Sequence, residues 1–210
     1  MTAPCVHVVD DDGSIRTSLA RLLAGAGYPH ALYASAEALL AMAGPDLRGC
    51  LILDLRLPRM SGLELQAALR DHGCHLPIVF LTGHGDVTAS VRAMKLGAVD
   101  FLEKPVSADA LLAAVAAALS REEADYASRT EREALNALVA TLTERERAVW
   151  LGVVRGQLNK QIGYDLGIVE RTVKVHRRNA MRKLRAESLA DLVRIADRLA
   201  LMPAGDATGP

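Results

Sequence analysis

Short apolar runs alternate with amphipathic stretches along the first half of the chain. The runs are Cys5–Val9 (CVHVV), Gly49–Leu53 (GCLIL), Pro77–Leu81 (PIVFL) and Val99–Leu102 (VDFL), with a weaker one at Tyr28–Tyr33 (YPHALY). Segments with helical spacing fall near 14–24, 36–43, 62–71, 86–96 and 107–119. Unbroken rather than alternating apolarity predicts strands covered on both faces, hence a parallel sheet of βαβ units. Five such units predict an α/β fold with a doubly wound five-stranded parallel sheet.

The pattern then changes. Residues 121–141 contain no Gly or Pro and are rich in Ala, Glu, Arg and Leu, which predicts a helical linker rather than a flexible tether. Within it Leu135, Leu138, Val139 and Leu142 recur at helical spacing, a packing face expected against the first domain or a dimer mate. Thr143 is placed to cap a helix running through Trp150 to about Arg155, where Gly156 suits a left-handed stop. Asn159 is placed to cap a short helix to about Leu166, and Gly167 makes a turn. Helices then follow over about 170–185 and 188–199. Four short helices with a Gly turn before the third predict a helix-turn-helix unit.

Composition changes this picture in one respect. The chain has 210 residues, 25 Lys and Arg and 25 Asp and Glu, a net charge of zero. That zero hides a split, because residues 142–201 hold 13 Lys and Arg against 7 Asp and Glu. A basic C-terminal third on a neutral chain points to a polyanionic partner for that third alone. On the third helix Val173, His176, Ala180 and Leu184 share one face, with Arg171, Lys174, Arg178, Arg182 and Arg185 roughly opposite. Arg reads guanine O6 and N7 in the major groove, and Lys does so more loosely. A solvated basic face is the plain alternative; the preceding helix and turn favour DNA. The 3 cysteines (Cys5, Cys50 and Cys74) lack metal-ligand spacing and read as reduced thiols. No leader or membrane span is expected, so the chain reads as cytoplasmic.

The candidate chemistry lies at one edge of the predicted sheet. Asp10 and Asp11 follow the first strand, Asp54 the third, Thr82 the fourth and Lys104 the fifth. Ligands of doubly wound sheets bind beyond these carboxyl ends. Each residue alone could be a cap or a loop residue; five at one edge form a constellation. Two unit charges ~4 Å apart repel by about 4 kcal/mol at an effective dielectric near 20, so the run Asp10-Asp11-Asp12 calls for neutralisation. Carboxylates without His or Cys suit a hard cation, typically Mg2+ when phosphate is the other ligand. Asp54 could then attack phosphorus, with Thr82 and Lys104 stabilising the phosphoryl oxygens. Pro105 in the turn Glu103-Lys104-Pro105 would aim the lysine inward through a cis bond.

DDD at 10–12, DLRLPRMSG at 54–62, LTGHGDV at 81–87 and GAVDFLEKP at 97–105 resemble the receiver domain of two-component response regulators of the FixJ type. The resemblance implies that Asp54 accepts phosphate from a sensor histidine kinase. It implies Mg2+ held by Asp11, Asp54 and the backbone carbonyl of Arg56, with Asp10 assisting through water and Asp12 only a third charge. Phe101 would be the aromatic whose rotamer changes with Thr82, and Arg56 and His84 would tune phosphate lifetime. LTERE, GQLNKQI and RTVKVHRRNAMRKL resemble the LuxR/NarL-type DNA-binding domain. That likeness implies Lys174, Val175 and Arg178 facing bases, with Lys160, Thr172 and Arg177 on the backbone and the last helix pairing two domains. Two departures stand out: Val169, with no oxygen, replaces the usual Ser cap of the recognition helix, and Gly163 replaces the usual Ala. Both predict a somewhat frayed domain.

The expected organisation is a receiver over 1–120, a helical linker over 121–141, a DNA-binding domain over 142–201 and a disordered tail over 202–210. The function that follows is a phosphorylation-controlled regulator that forms a homodimer, binds double-stranded promoter DNA and meets RNA polymerase there. A Mg2+-dependent phosphotransfer enzyme for a small substrate is the rival class. No Gly-rich phosphate cradle supports it, and it would leave the basic third idle. Constitutive DNA binding with a vestigial receiver is a third reading.

Overall fold

A computed structural model describes residues 3–83 and 93–201. Two compact units divide the chain, Met1–Tyr126 and Ala127–Pro210. In unit 1 the strands are β1 (Cys5–Val9), β2 (His30–Tyr33), β3 (Gly49–Asp54), β4 (Ile78–Thr82) and β5 (Asp100–Glu103). All neighbours pair in parallel in the order β2-β1-β3-β4-β5, the flavodoxin-like doubly wound arrangement. All five apolar runs become strands. Helices α1 (Gly13–Gly25), α2 (Ala36–Leu40) and α3 (Gly62–Asp71) connect them. The helix expected near 86–96 lies mostly outside the described residues; residues 93–95 are helical.

The sheet is covered on both faces, as its unbroken apolarity requires. Val9, Leu51, Leu53 and Phe80 pack with Leu39 of α2 and Leu65 and Leu69 of α3. Val6, Val8, Cys50 and Ile52 face the other way, against Leu19 and Leu23 of α1 and Leu111 and Val115. Among the described residues Cys5, Cys50 and Cys74 form no disulfide.

Helix α4 runs unbroken from Ala108 to Ala140. The segment expected near 107–119 and the helical linker expected over 121–141 are thus continuous as one helix. Ala-rich sequence without Gly or Pro offers no stop there. Leu135, Leu138, Val139 and Leu142 pack on the core of unit 2.

Unit 2 contains α5 (Glu144–Val154), α6 (Asn159–Leu166), α7 (Glu170–Leu184) and α8 (Leu189–Arg198). Its core centres on the buried Trp150, whose indole donates to the Leu192 carbonyl at 3.2 Å. Thr143 caps α5 in a complete capping box: its hydroxyl accepts from the Glu146 amide at 3.2 Å, and the Glu146 carboxylate accepts from the Thr143 amide at 2.9 Å. Asn159 is the first residue of α6 and not its cap. Leu158 occupies that position, and its amide donates to Gln161 Oε1 at 2.7 Å. Gly163 has a use the sequence does not show: a Cβ there would lie 2.7 Å from the Ile168 carbonyl oxygen. The turn between α6 and α7 closes against that bare backbone, with the Ile168 amide donating to the Gly163 carbonyl at 2.9 Å.

Val169 is the N-cap of α7 and supplies no capping bond, and the residue is 69% exposed. Val169→Ser should therefore stabilise unit 2 by about 1 kcal/mol, which raises its Tm by about 4–8 °C in a domain of this size. Fluorescence of Trp150, the single tryptophan, reads that transition. An unchanged or lower Tm would refute the capping argument.

Candidate functional site

Parallel register brings the acidic residues together. Val9 pairs with Leu53, so the next residues, Asp10 and Asp54, emerge side by side at the carboxyl ends of β1 and β3. Asp10 is 1% exposed and Asp54 9%. Lys104, just past β5, places its ammonium 2.8 Å from Asp10 Oδ2 and 2.6 Å from Asp54 Oδ2. The other oxygen of each carboxylate accepts a backbone amide at 2.9 Å, from Asp12 and Arg56 respectively. Burial pushes the Asp10 carboxyl above its ordinary range, outweighing Lys104 and the Asp12 amide. For Lys104 burial opposes the charge, but hydrogen bonds to Asp10 and Asp54, with their charges, hold it above the usual lysine value. Gly62 lets α3 start against this site, because a Cβ there would meet the Asp54 carbonyl oxygen at 2.6 Å.

Asp10, Asp11 and Asp54 can each present one oxygen, all within 4.8 Å of one another. An all-oxygen, anionic donor set fits a hard divalent cation such as Mg2+. Asp12 lies outside that group. It caps α1, accepting from the Ser14 amide at 2.7 Å and hydroxyl at 2.6 Å, and those bonds lower its pKa. The buried Thr82 hydroxyl donates to the Gly83 carbonyl at 3.0 Å, and the Lys104 amide to the Thr82 carbonyl at 2.7 Å. Phe101 is half-buried, its ring centroid 6.2 Å from that of Phe80. The Lys104–Pro105 bond is cis. His84 lies outside the described residues. Arg16, which the sequence reading missed, donates to the Asp10 carbonyl at 2.6 Å. Its place on the first turn of α1 gave no signal beyond a charged helix residue.

Unit 2 carries a second set. Helices α6 and α7 are joined by residues 167–169, with Gly167 left-handed at φ 65°, in helix-turn-helix form. On α7, Val173, Ala180 and Leu184 are buried, whereas Arg171, Lys174, Val175, Arg178 and Arg182 are exposed. Thr172 and Arg177 are half-buried, and Lys160 on α6 is exposed. Lys174 pairs with Glu170 one turn earlier at 3.0 Å. Val175 is apolar yet 41% exposed, in the midst of the basic face.

Residues 6–116 match the response regulator receiver domain, and residues 140–196 match the bacterial regulatory proteins of the luxR family. Transcriptional regulatory protein FixJ of Azorhizobium caulinodans is 47% identical over 203 residues, covering 97% of this chain and 96% of that protein. The chain belongs to the FixJ-type response regulators. Nodulation protein W of Bradyrhizobium diazoefficiens is 44% identical across 95% of this regulator and 88% of its own length. Among solved structures, response regulator StyR is 45% identical with a TM-score of 0.83, covering 94% of this chain and 100% of its own. Full-length FixJ from B. japonicum is 40% identical with a TM-score of 0.57, covering 97% and 100%. With a receiver and a LuxR-type domain on one chain, this protein is a transcriptional response regulator. No described helix is long and apolar enough to cross a membrane.

Within this regulator's acidic group, Asp11 is the exposed member. Asp11→Asn should weaken Mg2+ binding roughly tenfold or more, since a unit charge ~4 Å away contributes about 1 kcal/mol even in bulk water and several times that near a protein surface. Isothermal titration calorimetry measures it, and an unchanged Kd removes Asp11 from the ion site.

Proposed function

We propose that a sensor histidine kinase phosphorylates Asp54 and that the acyl phosphate controls dimerisation and sequence-specific promoter binding. The observation that carries this reading is the buried Asp54 carboxylate held 2.6 Å from the Lys104 ammonium at the open edge of the sheet. A carboxylate oxygen of Asp54 forms the bond to phosphorus as the donor's nitrogen–phosphorus bond breaks. Lys104 then turns from the carboxylates to a phosphoryl oxygen, where a positive point charge is already in place. Thr82 gives up its bond to the Gly83 carbonyl and donates to a second phosphoryl oxygen. Asp10, Asp11, Asp54 and the Arg56 carbonyl would hold Mg2+, which supplies positive charge to the phosphoryl oxygens when bound.

Movement of Thr82 frees space beside β4, and Phe101 on β5 is the aromatic that follows. The face formed by β5 and the start of α4 would then pair with its copy; the notional 86–96 part of that face lies mostly outside the described residues. Two basic domains held together bind a pseudo-palindrome more tightly than one, because the second contact is intramolecular. Lys174, Val175 and Arg178 read bases, and Lys160, Thr172 and Arg177 contact phosphates. RNA polymerase is the partner met at the promoter. Membership in a family of transcriptional regulators favours this reading over a phosphotransfer enzyme for small substrates.

Acetyl phosphate with Mg2+ should add one phosphoryl group by mass spectrometry, absent in Asp54→Asn, and should drive dimerisation seen by light scattering. A chain that stays unmodified, or is modified without dimerising, defeats the switch. Arg178→Ala should cost about 1–3 kcal/mol on the specific site and relax the preference at one base pair. Equal losses on all sequences would reassign Arg178 to a phosphate.

A further inference from the structure

One buried charged cluster in unit 1 has no part in the phosphoryl chemistry. Arg48 directly precedes β3, the strand that ends at Asp54. Its Nε donates to Glu122 Oε1 at 2.9 Å and its Nη2 to Glu122 Oε2 at 3.0 Å, a two-bond fork on one carboxylate. Glu122 is 2% exposed, and the Arg48 guanidinium carbon lies 3.5 Å from the centroid of the Tyr126 ring. The Arg48 backbone is held as firmly. Its carbonyl accepts from the Cys5 amide and from His7 Nε2, each at 3.2 Å. A carbonyl only accepts, so the His7 proton sits on Nε2, and Nδ1 takes the Tyr33 hydroxyl at 3.2 Å. Arg48 thus has its backbone tied to β1 and its side chain tied to α4.

The place of these contacts along α4 gives them meaning. Apolar packing of the helix on the receiver core ends at Ala118 and Leu119. Unit 1 continues to Tyr126, and between 120 and 126 Glu122 is the only buried residue. The last two turns of α4 in the receiver are therefore held by an ion pair and a cation–π contact, not by core. A buried pair is a weak route to stability, since apolar residues of similar volume often serve as well. A guanidinium fork on a carboxylate adds direction instead.

We propose that Arg48 is a positioning residue for signal output: through Glu122 and Tyr126 it keeps residues 120–126 helical on the receiver, so that α4 passes the receiver's state onward as one helix. The relay rests on the phosphorylation switch proposed above; the anchoring does not. A receiver with this clamp opened takes up phosphate normally and fails to pass the change on.

The test uses the full chain with Arg48→Met, Glu122→Gln, the milder Tyr126→Leu, and the swapped pair Arg48→Glu with Glu122→Arg. Three quantities are read: hydrogen exchange of amides 120–127, phosphate uptake from acetyl phosphate, and the ratio of DNA affinities with and without phosphate. In the first two variants exchange should speed up roughly tenfold or more, uptake should match wild type, and the affinity ratio should fall towards one. Tyr126→Leu should show the same changes at smaller size without loss of folding, and the swapped pair should recover part of the ratio. Unchanged exchange overturns the anchoring. Faster exchange with a wild-type ratio overturns the relay. A wild-type chain whose DNA affinity ignores phosphate overturns the switch, and the relay with it, while the exchange arm still decides the anchoring.

Discussion

Like charges forced together at the end of a parallel sheet are the constraint on which this molecule depends. Pairing of β1 with β3 sets Asp10 beside Asp54, and burial removes the water that would screen them. An arrangement of this kind persists only if positive charge is supplied from elsewhere. Lys104 supplies it from the far side of the sheet, bonded to both carboxylates. The same repulsion that needs Lys104 makes the site attractive to a divalent cation and to a group that cations stabilise. Function here is a use of unfavourable electrostatics that the fold is strong enough to impose.

The fold can impose it because the apolar strands behind the site are covered on both faces. That part was legible in the sequence, since a strand buried on both sides has no polar alternation to obscure its limits. The Asp cluster, Thr82 and Lys104 were legible for a related reason: each stands at an abrupt change from apolar to polar residues. Other features left no such mark. The double pairing of Lys104 spans 94 residues of chain, and no local spacing encodes it. Leu158 at the cap of α6 was hidden because propensity favours the neighbouring Asn159, whereas the backbone geometry is settled by Gln161 reaching back. Gly163 reads as a weakness until the Ile168 carbonyl is seen against it.

The linker shows the limit of reading elements one at a time. Helical propensity over 108–140 was evident, but where one helix should stop was inferred from domain boundaries and not from any residue. No residue there stops a helix, so none stops. Its stripe of Leu135, Leu138 and Val139 was equally clear as a packing face, and its partner was not, because an apolar stripe carries no address. The core around Trp150 takes it. The basic face of α7 was legible from charge alone, since the buried positions Val173, Ala180 and Leu184 fix which side the cations must occupy.

Strand β3 carries a cation–carboxylate contact near each end, and the two differ in kind. Lys104 is a compact point charge on a flexible stem, so in the proposed switch it would leave Asp54 for an incoming phosphoryl oxygen with little geometric penalty. Arg48 is a planar fork seated on both oxygens of Glu122, and moving it breaks two bonds at once. On the two proposals made above, a lysine suits the end where charge would be exchanged, and an arginine suits the end where a helix would be held. Exchanging the two residue types would weaken both: a fork beside Asp54 would resist release, and a point charge beside Glu122 would leave the last turns of the receiver helix free to fray.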